Sequence, residues 1–188
     1  VVEVPYLDRS ELATLTGGYI YVPVLVDDEG RVHVESRAIC EHLLAGELGA
    51  RFVPPPWEGP IWAYHDFCDG ALEDVTFRIA SPGVRDGWPS AGERALYVLV
   101  KERKFGTGCV DAWKREQPQL TTRAQALLAP TLRTLAARPF LFGDAPTLAD
   151  ASLYGVCAML AEAEPGLLDR VAPPLTAFMA RLETAARR

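Results

Sequence analysis

Four residues carry the clearest chemistry this sequence offers. Val22-Pro23 opens an apolar run through Val24-Leu25, and Glu35-Ser36 follows ten residues after that run. A proline entering a strand has no N–H for the ladder, so it is confined to a first-residue, edge or bulge position. We read the Val22–Pro23 bond as cis, which turns the N–H and C=O of Val22 outward to pair with an extended peptide. Ser36 offers a hydroxyl and the N–H groups of a helix N-terminus, a setting suited to a carboxylate. Glu35 offers an acceptor for an ammonium. Together these groups suit a small zwitterionic peptide.

The flanking elements must hold the four side by side. Asp27-Asp28-Glu29-Gly30 reads as a hairpin turn, residues 31–34 as the return strand, and Ser36 as the N-cap of the next helix. Upstream, residues 1–4 read as a strand, and Asp8 with Glu11 opens a short helix that Gly17 or Gly18 ends. Phe52-Val53-Pro54-Pro55-Pro56-Trp57 is a proline-stiffened linker, so we expect domains at 1–50 and 58–188 joined by 51–57.

Beyond the linker the pattern is helical. A long helix is predicted over 58–80, a loop over 81–89, and a capping box at Ser90 and Glu93. Gly106-Thr107-Gly108 breaks that helix, Pro118 opens another, and Pro130 should kink it. Residues 147–161 are apolar almost all round, which marks a buried helix, capped by Thr147 with Asp150. Pro173-Pro174 introduces a last amphipathic helix.

Two of these segments carry a resemblance. Val22-Pro23 with Glu35-Ser36 resembles the glutathione-binding half of the thioredoxin-like domain in glutathione transferases. Gly143-Asp144-Ala145-Pro146 leading into Thr147-Leu148-Ala149-Asp150 resembles the box that opens the central helix of their all-helical domain. The resemblance implies an α/β thioredoxin-like domain, incomplete at its N-terminus, followed by an all-α helical-bundle domain. It implies a glutathione transferase that conjugates glutathione, its co-substrate, to an electrophilic small molecule, a detoxification chemistry. The residues implied to bind glutathione are Val22, Pro23, Glu35 and Ser36.

In that fold residues 1–4 form the second strand, so we expect roughly 25–35 residues upstream, the length of one strand, one helix and their loops. The Tyr, Ser or Cys that contacts the glutathione sulfur is implied to stand there, and the catalytic residue is therefore unknown. Two other readings stay open. One is a non-catalytic glutathione-binding or protein-interaction member of the fold, and the other is a glutathione-dependent thiol reductase or isomerase.

The resemblance also implies a homodimer and places the first long helix beside the cleft and the dimer interface. Tyr64, His65, Asp66 and Asp69 are accordingly a possible second-substrate pocket or interface. The bland alternatives are a solvated acidic stripe (Asp66, Asp69, Glu73) and a structural histidine at His65. Trp62, Tyr64, Phe67 and Trp113 are either pocket wall or core.

Composition bounds the rest. The 188 residues are 49% hydrophobic and carry a net charge of −6, which argues against a nucleic-acid partner. No apolar run approaches the length of a membrane span. Cys40, Cys68, Cys109 and Cys157 are scattered without a C-x-x-C pair, and His33 and His42 read as surface residues, so we expect no disulfide framework and no metal site. Reduced cysteines point to a cytoplasmic protein. Cys109 lies among Lys101, Arg103, Lys104 and Lys114, the setting of either a reactive thiol or an inert one.

Overall fold

A computed structural model describes residues 1–187. The chain divides into two compact units, Val1–Pro54 and a second from Pro55 onward. In the first, helix α1 (Ser10–Thr16) ends at Gly17, whose φ of 70° is the left-handed conformation that glycine adopts without penalty. The Asp8 carboxylate accepts from the N–H and hydroxyl of Ser10 at the other end. Strands β1 (Val24–Val26) and β2 (Val32–Val34) form an antiparallel hairpin, followed by α2 (Ser36–Leu43) and α3 (Glu47–Phe52). Leu12 of α1 and Ile39 of α2 are buried.

Asp27 builds the hairpin turn. Its Oδ1 accepts the N–H groups of Glu29 and Arg31 at 3.0 and 2.9 Å, an Asx-type turn that aspartate forms readily. Two expectations are corrected in this unit. Residues 1–4 form no strand, because a strand needs a ladder partner and β1 pairs with β2 alone. Ser36 is the first helical residue, and Glu35 occupies the cap position without a side-chain capping bond.

The second unit is all helical. A 3₁₀ turn at Pro55–Trp57 leads into α4 (Glu58–Phe67), a π turn (Cys68–Leu72) and α5 (Glu73–Gly87). Then come α6 (Ala91–Phe105), α7 (Cys109–Arg115), α8 (Gln117–Ala137), α9 (Leu148–Ala163), α10 (Leu167–Val171) and α11 (Pro174–Ala186). The predicted capping boxes at Ser90 and Thr147 are both formed. The predicted loop over 81–89 is instead mostly helix: α5 continues through Pro82. A proline there removes one backbone donor and crowds the carbonyl four residues back. Burial of Ile79, Ala80, Ser81 and Pro82 outweighs that local cost. Tyr97 donates to the Ser81 hydroxyl, and the Gln117 amide donates to the Ile79 carbonyl in the same stretch.

Helix α9 is the centre of this unit, with α4, α5, α10 and α11 packed on it. Its opening turn depends on Asp150, which is fully buried. Asp150 Oδ1 accepts the Leu141 N–H at 2.9 Å, and Oδ2 accepts the N–H and hydroxyl of Thr147, each at 2.9 Å. Burial pushes the Asp150 pKa up, and these donors oppose the rise. Asp150→Ala leaves buried donors stranded at about 1–3 kcal/mol each, so we expect a loss of about 3–5 kcal/mol in urea melts. Asp150→Asn, which keeps one carbonyl acceptor, should lose less.

Candidate functional site

The hairpin register assembles the sequence-predicted residues. Val24 pairs with Val34 at the open end of the ladder. One step beyond that pair stand Pro23 and Glu35, and two steps beyond stand Val22 and Ser36. Residues twelve or more apart in sequence are thereby brought to one end of the hairpin. The Val22–Pro23 bond is cis. Val22, Pro23 and Glu35 are exposed and Ser36 is half-buried.

Glu35 has a φ of 69°, and among the described residues no other non-glycine residue has a positive φ. Such a backbone costs on the order of 1–3 kcal/mol and persists only where the surroundings hold it. Its carbonyl accepts the Ile39 N–H, and its carboxylate accepts the Tyr19 hydroxyl at 2.9 Å. That bond raises the Tyr19 pKa. Tyr19 is itself anchored, since the Thr16 hydroxyl donates to its carbonyl at 2.6 Å. Sequence reasoning missed Tyr19, because nothing periodic links it to the hairpin. The arrangement presents a fixed carboxylate, a serine hydroxyl and the N–H groups of a helix start, with an extended backbone segment alongside.

The residues expected on α4 part company. Tyr64 lies inside the helical unit, its hydroxyl 2.8 Å from that of Thr131, and burial pushes its pKa up. Asp66 is exposed. His65 is buried, with Nδ1 2.9 Å from the Ser152 hydroxyl and no hydrogen-bond partner at Nε2. His65 lines a cavity of about 200 Å³ with Cys68, Asp69, Ser152, Val156 and Met159 among its walls. The π turn supplies Cys68 and Asp69, a position where such turns recur at functional sites. Glu73 also borders this cavity, and burial followed by the nearby Asp69 charge raises its pKa.

Trp113 belongs to a separate cluster with Cys109, Val110, Phe77 and Phe105. Burial raises the Cys109 pKa, so its setting favours the neutral, inert thiol over the reactive one. Cys68 and Cys157 are buried as well, and desolvation pushes both thiols up to about 12.

His33 and His42 are not simple surface residues. Their rings stack, and both approach Asp27. The signal in the sequence was faint: His42 lies three residues after buried Ile39 and so shares the inward face of α2.

Comparison with protein families agrees with the two segments singled out above. The family model described as glutathione S-transferase, N-terminal domain, matches residues 1–47. The model described as glutathione S-transferase, C-terminal domain, matches residues 118–181. No curated protein matches the chain. Among the described residues, no helix is long and apolar enough to cross a membrane.

The raised thiols give a signed pH dependence. In the unfolded chain Cys68 and Cys157 ionise near 9.0, and in the folded chain near about 12. The native state therefore holds its protons longer, and stability falls as pH rises from about 9 to about 12. Urea melts across that range should show a shallower decline for the Cys68→Ala/Cys157→Ala double variant.

Proposed function

Because the chain belongs to the glutathione transferase family, we propose that it binds glutathione at the open end of its hairpin and conjugates it to a small electrophile, as a cytoplasmic homodimer. The observation that supports this most is the meeting of Val22, Pro23, Glu35 and Ser36 through the Val24–Val34 register, inside the stretch matched by the N-terminal family model. Val22 pairs its backbone with the extended tripeptide. The Ser36 hydroxyl and the first N–H groups of α2 take a carboxylate, where the helix dipole favours negative charge. Glu35, steadied by Tyr19, accepts the ammonium. No thiol-activating residue is assigned among the described residues.

In the helical unit, the cavity beside His65 is assigned to the apolar co-substrate on the strength of its own lining. Val156 and Met159 offer apolar contact, and the unpartnered His65 Nε2 offers a polar handle. The outward side of α4 and the π turn, where Ala63, Asp66 and Asp69 are exposed, is assigned to the dimer contact.

Titration of the folded chain with glutathione tests the binding site. Ser36→Ala is expected to weaken binding by about 1–3 kcal/mol, the range for a lost hydrogen bond to a charged group. Stability should change by only about 0.5 kcal/mol, because Ser36 is not the cap. Tyr19→Phe should weaken binding less, by about 0.5–1.5 kcal/mol. Unchanged binding in Ser36→Ala would remove the serine from the site and the reading with it. Intact binding without turnover of an aryl halide would identify a non-catalytic binder instead.

Light scattering at micromolar concentration should give twice the chain mass of 20.5 kDa. A monomer throughout that range rules out the homodimer.

A further inference from the structure

Three side chains outside the sites already described converge on one point. His33 lies on β2 and His42 in the last turn of α2, with ring centroids 3.8 Å apart and planes 22° from parallel. Asp27 lies in the turn between the strands. Its Oδ2 is 3.0 Å from His33 Nε2 and 3.6 Å from His42 Nε2. Arg31 Nε sits 2.8 Å from the same oxygen. Three nitrogens crowd one carboxylate oxygen, while Oδ1 is committed to the turn N–H groups.

We propose that Asp27, His33 and His42 form a binding site for a divalent first-row transition-metal ion such as Zn²⁺. Imidazole and carboxylate are the donors such ions take, at about 2.0–2.2 Å, which sets neighbouring ligand atoms of a tetrahedron about 3.3–3.5 Å apart. The two oxygen–nitrogen separations straddle that edge, and one ligand atom from each residue lies within 4.8 Å of the others. The side chains of Asp27, His33 and His42 are 11%, 21% and 31% exposed, shielded yet open enough for water to complete the coordination.

The charges also fit. Asp27 supplies the negative charge a divalent cation needs, and metal binding displaces any proton on His33 Nε2. Arg31 has a second partner, Glu29 Oε2 at 3.0 Å, and its side chain is 59% exposed. It shifts to Glu29 when the metal takes Oδ2. His42 stands in the last turn of α2, where the helix dipole favours a cation. A bound ion ties the hairpin to α2 and braces the helix that begins at Ser36. This site is independent of the glutathione reading.

Calorimetric titration of the chelator-treated full chain with Zn²⁺ tests it. One ion per chain and a rise in Tm are expected. His33→Gln and His42→Gln should each lose affinity by at least the roughly 10–100-fold that loss of a ligand's supporting partner costs. Co²⁺ should give visible d–d bands without a thiolate charge-transfer band. If either variant fails to fold, the imidazole ¹⁵N resonances of His33 and His42 in the parent chain decide, and both should shift with Zn²⁺. Absence of saturable binding, binding retained in both variants, a thiolate band, or unshifted imidazoles would overturn the site.

Discussion

The carboxylate of Asp27 is the contact on which the first unit turns. One oxygen closes the hairpin by taking two turn N–H groups, and the other gathers Arg31, His33 and His42. Closing the turn sets the register, because side chains alternate with a period of two and a slip of one residue would reverse every face. That register brings the segment of Val22 and Pro23 and the segment of Glu35 and Ser36 to the same end of the ladder, beyond the Val24–Val34 pair. The candidate ligand site at one end of the ladder therefore depends on a turn at the other end. With only Leu12 and Ile39 buried among the described residues of this unit, polar closure carries an unusual share of its organisation.

The helical unit is organised around a carboxylate too, under opposite solvation. Asp150 is wholly buried and joins the Leu141 N–H to the first turn of α9. In a low-dielectric interior every donor must be met, so this acid specifies where the central helix starts. The other helices then pack on a fixed axis. The His65 cavity lies along that axis, between Ser152, Val156 and Met159 of α9 and the π turn before α5.

Much of this was legible in the residues. The turn chemistry of 27–30 and the capping boxes at Ser90 and Thr147 are local signals, and the structure has each of them. That Pro23 and Glu35 both flank the open end of the hairpin follows from counting across it, which needs no tertiary knowledge. Tyr19 was not legible, since its bond to Glu35 spans sixteen residues from an irregular segment. By propensity Pro82 and Gly83 are helix breakers and predict an end to α5 before them. They continue the helix because the stretch is buried, and Gly83 lets the Ala163 carbonyl of α9 come closer than any β-carbon permits. The pairing of His33 with His42 needed the angle between β2 and α2, which no sequence period encodes.

The π turn at Cys68–Leu72 inserts its residues without ending the helical path from α4 to α5. Each helical residue advances the chain by about 100° around its axis. Removing one residue from the turn would restore regular winding and rotate α4 by that angle relative to α5. Ile61 and His65 would swing off the face they now share with Cys68 and Leu72, while Val75 and Ile79 stayed in the core. The bulge thus acts as a phase shifter, letting two stretches of one continuous rod show different faces to the same neighbour. A chain one residue longer or shorter here would line the cavity with different side chains without altering any of them.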